Sequence, residues 1–438
     1  MFALRRPLPT SLPVVLGLAL TASSIAACDD SEPATTADTT SETTSDTSPS
    51  DSAEPSDTPG PDAADSTSDT SENPDTADTT QTPRDFTAKG PYRVGFRESS
   101  LTYSPRDRSA DRTLRVVAWY PTEATTGNSV SYQGLLPAPD ILGGAPPAAL
   151  GPRPVLVFSH GNTSFAEQSF FLTEFFASHG YLVIAIDHTN NTYGSPFRVE
   201  VLHWRPDDIR GVLDHLERLG SLPESDPLAA LAPLVSDKIV LSGHSFGGYT
   251  TLAVGGATWD VDLLLAYCTT QELPLDGCNA LDTWEDLYRD GFLDERVDAL
   301  IPLTPGAVPL FGFDGPSDVA IPTLLMTGAR DATTPNSTDG DLAWTGLAGR
   351  AGNLRVDFAN AGHFTFSNAC QLVDLGFPIG ISDGCGGTFL PSSRAFAAIN
   401  AYALAFAERH LLGATDTDAL LSGELSIETD ATLSFGAP

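Results

Sequence analysis

The chain has 438 residues, 41% of them apolar, and a formal charge of −34. That is long enough for one large domain or two ordinary ones with a substantial buried core. The charge argues against a nucleic-acid or anionic-membrane partner, because a phosphate-binding surface needs a positive field that this composition lacks.

Arg5 and Arg6 precede an apolar run from Leu12 to Leu20, and small residues follow up to Cys28. This is the layout of an export signal over residues 1–27. The run is shorter than the roughly 20 residues that a bilayer span needs. The segment Ile25-Ala26-Ala27-Cys28 resembles a bacterial lipobox, in which the cysteine becomes the lipid-modified first residue of the mature protein. From Asp29 to Pro83 the chain is almost wholly Ser, Thr, Asp, Glu, Pro and Ala, without Lys, Arg or an aromatic residue. Such a segment cannot bury enough apolar surface to offset its ordering entropy. Residues 28–85 are therefore expected to form a flexible tether, with a coil span of roughly 40 Å, between a lipid anchor at Cys28 and a folded domain over 86–438.

In that domain Tyr92 to Tyr103 and Thr113 to Tyr120 read as strands that pair near one sheet edge. Short, nearly continuous apolar runs follow: Pro154 to Ser159, Tyr181 to Asp187, Lys238 to Ser242, Ala299 to Leu303, Pro322 to Thr327 and Leu354 to Phe358. Runs without polar alternation fit strands buried on both faces of a mainly parallel sheet. Helical spacing marks Phe165 to His179, Pro206 to Leu219, Phe246 to Gly255 and Ser392 to Leu411, with Pro206 and Asp207 suited to a first helical turn. Alternating β and α elements give an α/β fold.

The chemistry concentrates at Gly243-His244-Ser245-Phe246-Gly247-Gly248, a Gly-x-Ser-x-Gly motif with a β-branched strand before it and a helix after it. A sharp strand-to-helix turn there would project the hydroxyl of Ser245. A serine hydroxyl needs a histidine base and a carboxylate to orient that base. Asp331 follows one apolar run and His363 the next, so both are expected beyond the carboxyl ends of strands, where open α/β sheets place their sites. Asp314 and Asp318 lie before the same strand instead and are the lesser candidates. His160 and His244 are expected to support the active-site loops, and His179, His203 and His215 to sit on helices or their ends. An oxyanion needs two donors, for which the amides of Phe246 and Asn162 are the candidates, with Thr163 the nearest rival to Asn162.

Apart from Cys28, the cysteines are Cys268, Cys278, Cys370 and Cys385, an even number in a chain marked for export. Three connectivities are possible. The local pairing, Cys268 with Cys278 and Cys370 with Cys385, is favoured because each pair brackets a short loop rich in Gly, Pro and Asp. Neither pair has the spacing of a zinc site, and no metal is expected. Between the nucleophile helix and the next core strand, residues 257–297 carry Trp284, Leu287, Tyr288 and Phe292 at helical spacing, an apolar face expected to form a small cap over the site.

Phe158-Ser159-His160-Gly161, Ala177-Ser178-His179-Gly180-Tyr181 and the serine motif together resemble the α/β-hydrolases that include plasma platelet-activating-factor acetylhydrolase. They are similar also to the dienelactone-hydrolase-like and cutinase-like polyester hydrolases of bacteria. The resemblance covers roughly Pro91 to Ser367 and implies an α/β-hydrolase fold and calcium-independent carboxylester hydrolysis without a cofactor. Acetylhydrolases of that type carry the acid after the preceding strand, where Leu303-Thr304 offers no carboxylate; Asp331 matches the polyester hydrolases instead. Those enzymes hold aromatic groups with a tyrosine and a tryptophan where this chain has Asn162 and Gly306. The expected function is a serine carboxylester hydrolase acting through an acyl-enzyme on small or lipid-derived esters. The alternatives are a polyester hydrolase, a peptidase or thioesterase with the same triad, and a surface-anchored binding protein. A small ester is the expected partner, with membrane attachment only through Cys28; no pattern specifies an oligomeric state.

Overall fold

In the computed structural model, which describes residues 84–270, 275–376 and 381–437, the apolar runs form the middle of one eleven-stranded sheet. The export segment, Cys28 and the tether up to residue 83 lie outside the described residues. The strands are β1 Arg93–Tyr103, β2 Arg112–Thr122, β3 Asn128–Tyr132, β4 Leu136–Gly143, β5 Arg153–Ser159, β6 Leu182–Ile186, β7 Val235–His244, β8 Ala299–Leu303, β9 Leu324–Gly328, β10 Leu354–Phe358 and β11 Ala431–Phe435. Their order is β11-β10-β9-β8-β7-β5-β6-β2-β1-β4-β3. The six strands from β10 to β6 run parallel. β2 joins them antiparallel and β1 pairs with it antiparallel along its whole length.

Both faces of the parallel strands are covered, which is why their sequences lack alternation. Val155, Val157, Ile184, Ile239, Leu241 and Leu300 point to one face, against helices α2 Val201–Arg218 and α3 Phe246–Val254. Leu156, Phe158, Val183, Val240 and Ile301 point to the other, against α1 Phe170–Ser178 and the long C-terminal helix Ser392–Leu412. The chain passes from β5 to β6 on one side and to β7 on the other. Between β5 and β7, paired from Val155–Ile239 to Ser159–Gly243, the sheet therefore has its topological switch point, the crevice where such folds bind ligands.

Three strands were not legible. β4 contains Pro137 and Pro139, which argue against a strand because proline donates no ladder hydrogen bond. The structure resolves the conflict by splitting the pairing: Leu136–Ala138 faces β3 alone, while Ile141–Gly143 pairs with β1. The prolines thus sit where one flank is open. β3 is short and polar, and β11 gains its place only by closing antiparallel on β10.

Two helix boundaries differ from the sequence reading. α1 begins at Phe170 rather than Phe165, and residues 165–168 turn so that the Ala166 amide reaches Asp187 Oδ1. α2 begins at Val201, so Pro206 lies inside the helix and not in its first turn. An internal proline leaves the carbonyl four residues earlier without its amide partner. Here that carbonyl is Leu202, and the hydroxyl of buried Tyr249 on α3 donates to it at 2.7 Å. Asp207 and Asp208, no longer at a helix start, pair with Arg106 and Arg112.

Residues 257–297 form two helices, α4 Val261–Thr269 and α5 Leu275–Asp290, the latter kinked at Trp284. The apolar face foreseen for this segment is used: Tyr288 is buried, stacks on Trp259 at 4.2 Å, and shares a 2.9 Å hydrogen bond with His203 at the start of α2. Tyr249→Phe should lower unfolding free energy by about 1–3 kcal/mol, because it leaves the Leu202 carbonyl unpaired in the core. Urea denaturation with an unchanged slope and an unshifted midpoint would show that the hydroxyl does not serve this carbonyl.

Candidate active site

β7 delivers the chain to Ser245 in a conformation that few side-chain-bearing residues adopt, φ 58° and ψ −119°, and α3 starts at the next residue. Such a backbone costs on the order of 1–3 kcal/mol and persists only where its surroundings enforce it. They do so here. The Ser245 amide donates to the Leu303 carbonyl at 3.0 Å, while the Ser245 carbonyl accepts from the amides of Gly248, Tyr249 and Gly306. The flanking glycines are required by contact: a methyl at Gly243 would lie 2.3 Å from the Gly247 carbonyl oxygen, and one at Gly247 only 1.9 Å from that of Ser159. The sequence expectation of a sharp strand-to-helix turn is met in this geometry.

Ser245, Asp331 and His363, from three separate loops, meet in one hydrogen-bonded line. Nε2 of His363 is 2.8 Å from Oγ of Ser245, and Nδ1 is 2.8 Å from Oδ2 of Asp331. Oδ1 of Asp331 accepts from the amides of Thr333 and Thr334, and Oδ2 from the hydroxyls of Thr304 and Thr334. Burial by itself would raise this carboxyl, but the facing imidazole, its hydrogen bond and the threonine donors outweigh burial and hold the pKa down to about 2. Because the folded value is depressed, the carboxylate's contribution to stability is present above the ordinary carboxylate range and is lost as pH falls through about 2. Ionised Asp331 faces Nδ1 of His363, and an Nδ1–H donating to it would leave Nε2 to accept from the serine hydroxyl. Of the lesser acid candidates, Asp318 accepts from Thr258 and lies outside this arrangement, as does its neighbour Asp314.

Two further polar links fix His363. Burial, reinforced by the nearby His363, lowers His244 to about 3, so its imidazole is neutral. Its Nε2–H can then donate to the His363 carbonyl, and its Nδ1 accept from Gln168 Nε2. Gln168 Oε1 in turn accepts from the Gly161 amide at 2.6 Å. His244 therefore supports the loops as foreseen, with Gln168 as an intermediary that the sequence did not reveal. Asp383 is the second link: Oδ1 accepts from the His363 amide at 3.1 Å, and Oδ2 from the Ala332 and Thr333 amides and the Thr333 hydroxyl. One carboxylate thus joins the loop of Asp331 to the loop of His363.

The turn after β5 lies against the serine, since a methyl on Gly161 would stand 3.4 Å from Cβ of Ser245. Phe246 opens α3, and a first-turn amide has no acceptor within its own helix. Asn162 follows Gly161, with its Oδ1 accepting from Asn191 Nδ2 at 2.7 Å, and Thr163 takes a positive φ of 49°. Buried His160 accepts the His188 amide at Nε2. His203 and His215 lie on α2 and His179 at the end of α1, as expected.

Both cysteine pairs are joined as favoured, Cys268 to Cys278 and Cys370 to Cys385. These are bonds of a protein outside a reducing cytoplasm. Among the described residues no helix is long and apolar enough to cross a membrane, and no cluster of three or more His, Cys, Asp or Glu side chains is arranged to hold a metal.

Sheet order, switch point and strand-serine-helix turn together define an α/β-hydrolase fold. Neither a protein-family model nor a curated protein sequence matches the chain. Among solved structures it is similar to a ferulic acid esterase from Streptomyces cinnamoneus, with a TM-score of 0.56 and 24% identity, over 80% of this chain and 99% of that one. That likeness shows a shared fold.

Asp383 lies inside the loop closed by Cys370 and Cys385. Removing its carboxylate by Asp383→Ala, or the crosslink by a Cys370→Ser, Cys385→Ser double variant, should let the acid and base loops drift. A misplacement of about 1 Å can cost on the order of 100-fold in rate. Turnover is expected to fall by at least tenfold in either variant at temperatures where circular dichroism remains native; unchanged turnover would exclude a positioning role for this loop.

Proposed function

We propose that this protein is a serine carboxylester hydrolase working through an acyl-enzyme. The observation that carries the proposal is the Ser245–His363–Asp331 line, with both contacts at 2.8 Å on a strained strand-to-helix turn. In this reading Ser245 Oγ attacks the acyl carbon while its proton passes to Nε2 of His363, and Asp331 stabilises the resulting imidazolium. The carbonyl oxygen gathers negative charge and is met by the amides of Phe246 and Asn162. The C–O bond of the ester breaks, and the alcohol leaves with the proton from Nε2. Water then repeats the sequence on the acyl-enzyme, releasing the acid and restoring Ser245.

Small or lipid-derived esters are the substrates we favour over polyesters. Asn162 and Gly306 stand where the resembling polyester hydrolases carry their aromatic clamp. A cavity of about 480 Å³ lies between α5 and the segment before α2, lined by Phe197, Arg198, Glu200 and Trp284 among others. Its lining includes none of Ser245, Asp331 and His363, so it does not carry the choice of substrate; that residues 257–297 act as a cap on the site is our proposal from their aromatic face. That a protein of similar fold is a ferulic acid esterase supports an ester, rather than an amide or a thioester, as the substrate of this chain. For the chain as a whole we propose an export signal over 1–27, a lipid anchor at Cys28 in the bacterial cell envelope, and a tether leading to a catalytic domain over 86–438.

Ser245→Ala should lower ester hydrolysis on the order of 10⁴- to 10⁶-fold and abolish labelling by a fluorophosphonate without shifting thermal unfolding. A variant retaining a tenth of wild-type turnover would refute the nucleophile. Trp284→Ala should change the order of preference among p-nitrophenyl esters of graded chain length, since it removes part of that aromatic face. An unaltered preference would remove the cap from substrate selection.

A further inference from the structure

Behind the turn that follows β5 lies a charge with no exposed surface. Arg205, on α2, is fully enclosed. Its Nη2 donates to the His160 carbonyl and, at 3.1 Å, to Ser159 Oγ. Its Nη1 reaches Asn191 Oδ1 at 2.6 Å and its Nε reaches Thr250 Oγ1 at 3.1 Å. Two of these acceptors pass the constraint onward. Asn191 Nδ2 holds the side chain of Asn162 at 2.7 Å, and the Thr250 hydroxyl donates to the Phe246 carbonyl at 2.9 Å. The guanidinium carbon also lies 4.9 Å from the centre of the Phe246 ring. One planar fork therefore ties together the two segments whose amides would meet an oxyanion.

The protons in this cluster are ordered. Ser159 Oγ accepts from Arg205, so its own hydrogen goes to Nε2 of His188, and Nδ1–H of His188 donates to Asp208 Oδ2. Burial holds His188 well below its usual pKa, in keeping with the neutral ring this order requires. Asp208 accepts also from Arg112 and Tyr103. Arg112 holds this carboxylate directly, whereas Arg205 reaches it only through Ser159 and His188 and has no carboxylate in direct contact among the described residues. Burial lowers its pKa to about 9, with Asp208 opposing the shift, which leaves it cationic at neutral pH. A charge without a contacting counterion in a low-dielectric interior is costly to fold around, and its field is strong for the same reason.

We propose that Arg205 is a positioning residue for the oxyanion site: its fork sets the spacing between the His160–Asn162 turn and the first turn of α3, and its charge, with no carboxylate in direct contact, favours the developing anion. This rests on the serine-hydrolase reading of Ser245. Arginine is specific for the task, because lysine would keep the charge but lose the planar set of donors.

The test uses the full chain with its disulfides intact and compares Arg205→Lys, Arg205→Met and Asn191→Ala with wild type. Active sites are counted by fluorophosphonate titration, and kcat and KM for a p-nitrophenyl ester are expressed per titrated site. Losing a direct oxyanion donor costs about 10²- to 10³-fold in kcat. A residue acting through the donors should cost less, on the order of tenfold in Arg205→Lys and Asn191→Ala and more in Arg205→Met, with KM within about twofold of wild type. A merely structural role would lower the titrated fraction and the melting temperature while leaving kcat per site unchanged, and that result overturns the proposal. Should the Arg205 variants not fold, Asn191→Ala decides by the same criterion. Wild-type protein that neither titrates nor hydrolyses the ester would refute the serine-hydrolase reading, and this inference with it.

Discussion

The backbone at Ser245 is held left-handed at the point where β7 becomes α3, and the surrounding structure is arranged so that it cannot relax. Relaxation would require the turn to move away from β5, yet Gly247 is pressed against the Ser159 carbonyl and Gly243 against Gly247. Behind the turn, β8 and the segment after it supply the Leu303 acceptor and the Gly306 donor that pin Ser245 on both sides. The strain is thus offset by packing across three adjacent parallel strands. This explains why the serine stands at the switch point of the sheet: only there do loops from both sides of β5 converge on one residue.

The groups facing that serine come from loops, and loops need fastening. The fastening is polar and mostly buried. Thr304, itself at a positive φ, follows the end of β8 and donates to Asp331 beyond the next strand. Asp383 ties the loops after β9 and β10 together, and the Cys370–Cys385 bond closes the loop on which Asp383 sits. His244 and Gln168 link the histidine loop to the turn after β5. The links through Thr304, His244 and Gln168 are enclosed, the kind whose loss leaves a buried group unsatisfied, while those of Asp383 lie nearer the surface and are charge-assisted.

The helices of residues 257–297 show the same economy with apolar material. Tyr288 stacks on Trp259, which meets Tyr249 edge-on, and the three form an aromatic wedge between this insertion and the first turns of α2 and α3. His203 joins the wedge to the loop between β1 and β2, through Tyr288 on one ring nitrogen and Asp107 on the other. The Cys268–Cys278 bond fastens α4 to α5 where neither is long enough to be stable alone.

The core strands, the serine turn and the chain order of Ser245, Asp331 and His363 were legible in the sequence, because each depends on a local pattern: an apolar run, a Gly-x-Ser-x-Gly turn, a polar residue just past a strand. The local disulfide pairing was legible for a related reason, since both loops are short. β4 was hidden by its prolines, and the true start of α2 by Pro206, because each proline is tolerated only through a partner distant in sequence: one-sided pairing in the first case and the Tyr249 hydroxyl in the second. Gln168, Asp383, Thr304 and Arg205 left no local signal at all. Their roles are set by acceptors and donors tens of residues away, which become neighbours only when the strands lie side by side. Which residues stand at the ends of which strands follows from side-chain periodicity and turn chemistry, which act over a few residues; how those ends are spaced and charged follows from buried hydrogen bonds, whose distances exist only once the chain is folded.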